Sequence, residues 1–353
     1  MHMADALLAP AVAATMFAAT GVTAGVSIHK LRKDDDPAKL PTMAVTAALV
    51  FAGQMINYTI PGTGSSGHLC GGMLLSALIG PQAGFLSMIV ILTIQCLLFA
   101  DGGLMALGAN CWNMAFYGCF VGYYLIWRPI VRSGLFSKLG EKAAVRARII
   151  LASVLGCTVT LELGAFSVVL DTTLSGITEL PFGAFCALML PIHLAIGLVE
   201  GLVTSAVLIF VFEARPELLQ EVSAREKGLR GRQSLKSTII VLAVLAAVIG
   251  GGLSLLASSH PDGLEWALFG NKDAGYAENM ALDEESYGVR SGAADAAQTV
   301  QDKTSVLPDY AFPDSESAAG TTVSGLVGAA VVAAAAVGVC AVGGFFRKRR
   351  QRS

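Results

Sequence analysis

The first two residues of this chain carry three nitrogens that one divalent ion can share. The Met1 amine, the His2 amide once deprotonated and the His2 ring close two fused chelate rings, because an imidazole at position two lies within reach of both backbone nitrogens. One further imidazole would complete a planar four-nitrogen set, a geometry that suits Ni(II) and Cu(II), is accessible to Co(II), and is poor for Mg(II) or Ca(II). His68 is the candidate for that fourth place. It sits in Gly62 to Gly72, read as Gly-Thr-Gly-Ser-Ser-Gly-His-Leu-Cys-Gly-Gly, among five glycines between two apolar runs. Glycine admits positive φ and close backbone approach, so the segment is expected to be an irregular loop that holds the ring at a fixed point. Taken alone, each histidine has a plainer reading, His2 as an exposed second residue and His68 as a buried ring in a tight loop. The metal reading requires the two to share one face.

The elements that must bring them together are membrane spans. Of 353 residues 54% are hydrophobic and 14% charged, against about 25% charged in ordinary soluble domains. Several apolar runs are long enough to cross a hydrocarbon layer of about 30 Å. The expected fold class is therefore all-α, a polytopic helical membrane protein. A net charge of −2 argues against a nucleic-acid partner. The seven cysteines, at 70, 96, 111, 119, 157, 186 and 340, include no Cys-x-x-Cys pair and read as small core residues.

No basic region precedes the first apolar run, so a cleaved secretory signal is not expected and Met1 should keep its amine. A first span, about 4–28, ends at His29, Lys30, Arg32 and Lys33, which the positive-inside rule places in the cytoplasm, with Met1 and His2 outside. A second span, about 42–60, returns outward and delivers the His68 loop to that same side. Spans three and four, 69–79 and 82–99, are expected as an inward and outward pair turning at Gly80-Pro81. Span five, 104–127, and span six, 149–170, flank a basic cytoplasmic linker, and span seven covers 182–212. Span eight, 237–257, leads to a polar outer stretch, 258–319, with twelve acidic and three basic residues, much of it expected to be disordered. Span nine, 321–346, ends at Arg347-Lys348-Arg349-Arg350. This topology of about nine spans puts 21 of the 24 Lys and Arg residues on the inner side. The domains read as 1–213, a cytoplasmic linker 214–236, and a two-span appendage 237–353.

Three separated stretches then stand in a telling order: Met1-His2-Met3-Ala4-Asp5; Ser65-Ser66-Gly67-His68-Leu69 with Gly71-Gly72; and Gln95-Cys96 through Asp101-Gly102-Gly103-Leu104 to Ala106-Leu107-Gly108-Ala109-Asn110. Together they resemble the cobalt and nickel S component, of CbiM/NikM type, of energy-coupling factor transporters, over about residues 1–212. The tail's Pro261-Asp262-Gly263-Leu264-Glu265 resembles the two-helix accessory subunit of such systems, here fused. The resemblance implies a seven-helix core whose N-terminus folds into the protein, with metal held by the Met1 amine, the His2 amide and ring, and His68. It implies supporting or loop-positioning roles for Asp5, Ser65, Ser66, Gln95, Asp101 and Asn110, and an accessory-loop segment at Pro261, Asp262, Gly263 and Glu265. Ni(II) or Co(II) is then the transported substrate, with no bound organic cofactor. The implied setting is the plasma membrane of a bacterium or archaeon, and the implied partners are a transmembrane coupling subunit and two cytoplasmic ATPases.

The chain has no Gly-x4-Gly-Lys-Ser/Thr phosphate loop, so ATP-driven transport needs hydrolysis from those other chains. Small-xxx-small pairs at Ala14/Ala18 and Gly21/Gly25 on span one suit a partner helix. Glu162, His193 and Glu200 fall inside spans six and seven. His193 and Glu200, seven apart, share a helix face and are expected to act in helix packing rather than in a proton relay. Two other classes stand as alternatives: an intramembrane metalloenzyme, which would want a His-Glu-x-x-His set that is absent, and a membrane metal sensor, for which no signalling domain is visible. Because coordination needs deprotonated nitrogens, affinity is expected to fall as pH drops through the histidine range near about 6.5.

Overall fold

The structure is a computed structural model that describes residues 1–32, 39–177, 179–226, 233–272, 275, 280, 282, 287–313, 315 and 317–350. Lys33, part of the cytoplasmic linker and several acidic positions of the 258–319 stretch lie outside the described residues.

The chain opens with a short turn and then α1, Pro10–Leu31, with proline at its first position, where the missing N–H costs nothing. α2, Lys39–Gln54, leads to a hairpin in which β1, Tyr58–Ile60, pairs antiparallel with β2, Ser65–Gly67. The glycine-rich segment is thus partly regular, a correction to the expected irregular loop: Gly62 and Gly64 take positive φ in the turn, so the flanking residues can pair. The α3 helix, Gly72–Ile79, and α4, Pro81–Phe99, follow. α5 runs without a break through Leu107–Cys111, Trp112–Trp127 and Arg128–Arg132, its middle portion wound as a wider π-type helix. The long α6, Glu141–Leu174, packs along α7, Phe182–Ala214, and α8, Gln220–Arg225, closes the first part.

Among the described residues five regular α-helices are long and apolar enough to cross a membrane, α1, α4, α6, α7 and the final helix over Ala318–Gly338, with α5 set apart by its π-type middle portion; Pro41–Gln54 and Leu235–Gly251 are shorter apolar helices. The expected third span is corrected. At eight residues α3 is about 12 Å long, well short of a bilayer core. Every residue of α3 is buried, so its free ends face protein rather than lipid. Its close fit depends on small residues, since Gly118 and Gly122 of α5 and Gly156 of α6 lie against Gly72 and Met73.

Basic segments gather at one end. Glu221 pairs with Arg128 and Arg132, and the buried Arg148 reaches Glu226 at 2.6 Å. Gly21 and Gly25 of α1 have nothing within 4 Å of where a Cβ would stand, and Phe17, Val22 and Val26 are exposed.

The appendage consists of α9, Leu235–Gly251, α10, Gly263–Phe269, α11, Gly292–Thr304, and α12, Ala318–Arg350. α9 and α12 both pack on α2 and meet each other at Gly250 and Gly325, where a Cβ on Gly325 would collide with the Gly250 backbone. The disorder expected for 258–319 is corrected for its described parts. Asp262 caps α10 by accepting from Leu264 N and Glu265 N at 2.8 and 2.9 Å, and the Glu265 side chain accepts from Asp262 N, a complete capping box. The stretch is tied down because it satisfies backbone carbonyls at the outer ends of core elements: Ser258 N donates to Asn57 O, Leu307 N to Leu98 O, and Val289 N to Ala6 O.

Candidate metal centre

The N-terminal segment enters the fold beside the loop between α4 and α5. Met3 and Asn110 exchange two hydrogen bonds, Met3 N donating to Oδ1 at 2.7 Å and Nδ2 donating to Met3 O at 3.1 Å. Gly103 N donates to Met3 O, and Ala106 N to Asp5 Oδ1. Gly102, with φ of 81°, lies against the His2 ring, where any side chain would intrude. Asn110 and Asp5 therefore hold the backbone that presents Met1 and His2.

Met1 and His68 come together: the amine lies 3.4 Å from His68 Nε2. The His2 and His68 ring centroids are 5.3 Å apart. His2 Nδ1, the ring atom a chelate would use, faces Asp101 Oδ1 at 3.1 Å, and Tyr310 of the appendage donates to the other Asp101 oxygen at 2.5 Å. Among the described residues no three His, Cys, Asp or Glu side chains form a ligand cluster; the terminal amine makes up the number.

The His68 loop is braced from below. Glu200 on α7 accepts from Cys70 N at 2.8 Å and from Gly71 N at 2.9 Å. Gln95 Nε2 donates to Gln54 Oε1, and Gln54 Nε2 to Cys70 O. His68 Nδ1 meets Leu69 O at 3.0 Å, which leaves Nε2 facing the amine. Replacing Glu200 with alanine leaves two buried N–H groups without acceptors, at roughly 1–3 kcal/mol each. The Glu200→Ala chain is expected to show a thermal unfolding midpoint several degrees lower in detergent, with Glu200→Gln, which keeps one acceptor oxygen, between it and the native chain. Equal midpoints would show that the loop holds itself.

Asp262 is the arrival that sequence reasoning did not place. Its Oδ2 lies 2.5 Å from the Met1 amine and 4.0 Å from His68 Nε2. Ser66 puts it there: Ser66 N and Oγ both bond Pro261 O, and Oγ also donates to His260 O at 2.7 Å. Ser66 thus anchors the appendage rather than the His68 ring, while Ser65 Oγ donates to Ser66 O at 3.1 Å. Gly263 is packed directly on His193, whose Cε1 lies 3.0 Å from where a Cβ would stand, and His193 Nδ1 is engaged by Met189 O. Met1, His68, His193, Asp262 and Gly263 share the walls of a cavity of about 10 Å³, near the size one water or ion fills. Above it a chamber of ≈ 850 Å³ opens between core and appendage, lined by His2, Asp101, Glu265 and Tyr310 among others. Glu162 lines neither space. His193 and Glu200 do lie on the buried side of α7, but each serves a different segment: the appendage for the first, the His68 loop for the second. The only sequence signal for either was a polar side chain in an apolar helix.

Electrostatics follow burial and the two carboxylates. Burial drives the His68 pKa down to about 4, helped by the adjacent amine and His2. It also lowers His2, against the pull of Asp101. For the Met1 amine burial acts downward too, but the charge and hydrogen bond of Asp262 override it and the value is raised. Asp262 is the reverse case: burial pushes it up, and the amine and His68 hold it well below the usual carboxylate range.

Apolar helices of membrane-spanning length, with a recessed amine and imidazole beside a polar chamber, define a polytopic helical membrane protein. Residues 2–218 match the family model described as the cobalt uptake substrate-specific transmembrane region, CbiM, and residues 236–343 match the PDGLE domain. The chain belongs to the CbiM family of metal-transport membrane proteins and carries a fused PDGLE domain. A fused nickel transport protein, NikMN, of Rhodobacter capsulatus is 32% identical over 350 residues, covering 93% of this chain and 94% of that one. A cobalt transport protein, CbiM, of Sorangium cellulosum is 30% identical over 224 residues, 63% of this chain and 96% of its own. A crystal structure of a truncated transition metal transporter aligns at a TM-score of 0.50 and 32% identity, covering 60% of this chain and 99% of its own.

Proposed function

We propose that this chain is the substrate-specific membrane subunit of an ATP-driven, energy-coupling factor type uptake transporter for Ni(II) or Co(II) in the plasma membrane. The Met1 amine, the His2 amide and ring, and His68 are the proposed ligands. The observation that carries the reading is the amine facing His68 Nε2 at 3.4 Å, with the His2 ring beside it, at the outer end of the spans. Two nitrogens at that separation need to close by only about half an ångström to become neighbours in a square plane with metal–nitrogen bonds of about 2.0 Å. Nitrogen donors favour Ni(II) and Co(II) over hard cations, and the relatives named above are nickel and cobalt transport proteins. Absence of a phosphate loop supports separate ATPases and a coupling subunit as partners, and the open glycines of α1 offer a face for the latter.

The test is uptake. In a transport-deficient cell, the chain together with a coupling subunit and ATPases is expected to accumulate nickel or cobalt, and His68→Ala is expected to reduce accumulation to background. Equal accumulation with His68→Ala, or uptake independent of the ATPases, would sink the reading.

A further inference from the structure

Three donor atoms at the outer pocket stand in a relation the four-nitrogen site does not use. The separations Met1 N to His68 Nε2, Met1 N to Asp262 Oδ2 and His68 Nε2 to Asp262 Oδ2 are 3.4, 2.5 and 4.0 Å. Three points so spaced lie on a circle of radius about 2.0 Å, the length of a bond from a transition metal to nitrogen or carboxylate oxygen. Seen from its centre, His68 and Asp262 stand roughly 170° apart with the amine between them, the T shape of a square plane with one corner open. The geometry points to Asp262 of the fused PDGLE domain as a metal ligand, forming with the Met1 amine and His68 a capture site for the incoming divalent transition-metal ion.

The proposal rests on the metal-uptake reading and adds an order of events to it. In the closed chelate the His2 amide lies between the amine and the ring, so it must stand opposite the fourth ligand, His68. Asp262 holds that same position here. Meanwhile His2 Nδ1 is turned to Asp101, and His2 Nε2 is buried without a hydrogen-bond partner. An ion arriving through the chamber is first held by the amine, His68 and Asp262, the ammonium releasing its proton to water. The His2 amide, losing its proton to water, then displaces Asp262, and the ring closes the plane. The appendage leaves the site as the chelate closes, which makes its Asp262 contact a property of the unfilled and half-filled states.

The capture role is tested in the purified full chain by stopped-flow binding of Ni(II). Asp262→Asn keeps a good helix cap and loses the charged donor. Asp309→Asn removes a carboxylate from the same chamber wall without touching a donor. Asp262→Asn is expected to slow association by about tenfold or more, the scale on which metal-site partners act, and Asp309→Asn by a much smaller factor. In a second arm His2→Gln removes the ring that locks the plane, which leaves Asp262 in competition with the backbone amide, so Ni(II) should bind more weakly than to the native chain. Adding Asp262→Asn to His2→Gln should remove most of the binding that remains. Equal association rates in the native and Asp262→Asn chains, an equal slowing by Asp309→Asn, or unchanged binding in the double variant would overturn the role of Asp262 while leaving the uptake reading in place. A native chain that binds no nickel or cobalt at all would overturn that reading itself.

Discussion

Two extra residues placed ahead of Met1 are expected to lower the nickel affinity of the purified chain by more than about 100-fold, because even partners one shell removed from a metal are worth 10–100-fold. The physical reason is local. Met1 is 5% exposed, and its amine is fixed between His68 Nε2 at 3.4 Å and Asp262 Oδ2 at 2.5 Å. Two added residues move the amine up to about 7 Å along the chain and put an amide nitrogen in its place. The two fused rings of the native terminus, amine to His2 amide to His2 ring, can then no longer form, and with two residues added His2 does not become the third residue of a new terminus, which would itself chelate nickel. Isothermal titration with Ni(II), Co(II) and Zn(II), beside circular dichroism to show that the helices persist, makes the comparison. Full affinity in the extended chain would remove Met1 from the ligand set and turn attention to His193, which shares the cavity wall.

The second large effect is on pH. From pH 7.5 to 5.5 the affinity for nickel is expected to fall by at least about 100-fold, one factor of ten per pH unit for each proton released on binding. The histidines, from which this dependence was expected, are not its source. Burial holds His68 near 4 and lowers His2, so the His68 ring stays neutral across that window. The Met1 amine is the titrating donor. The groups around it are Asp262, which raises it most, Cys70 and Asp101, with His68 and His2 beside it, and the net shift is upward from 8.0. A donor whose pKa is raised is protonated throughout the window, so each ion bound must expel its proton and binding weakens steadily as pH falls. A slope of two protons per ion would add the His2 amide. A flat profile over these two units would show that neither backbone nitrogen binds the metal.

What the residues determined by themselves was the material of the site and the helical membrane character of the chain that carries it. The apolar runs demand helices because backbone groups in lipid must be satisfied within one segment, and the distribution of Lys and Arg gives their expected orientation. His2 and His68 then fall on one face, and the structure sets their rings 5.3 Å apart. The glycines of the 62–72 segment announced a break in the helix, though not the hairpin that Tyr58 forms with Gly67. Hydropathy also counted a span at 69–79, since a buried half-helix and a true span are equally apolar; only the packing of α3 inside the core separates them.

Tertiary structure alone decided which groups surround the Met1 amine and His68. Glu200 is 130 residues from Cys70, and Asp262 is 261 residues from Met1. No local period or spacing records contacts across such separations. Asp262-Gly263 reads as a turn because a short polar dipeptide satisfies its own backbone in many places; here the same chemistry starts a helix, and Ser66 steers that helix so the carboxylate meets the amine. The acidic stretch reads as a solvated spacer from composition, yet Gln301 and Tyr310 reach Cys96, Gly102 and Asp101 and close the chamber over His2. Composition measures how much apolar surface a segment can bury on itself. It does not register unpaired carbonyls waiting at the end of another element, and those are what hold this segment in place.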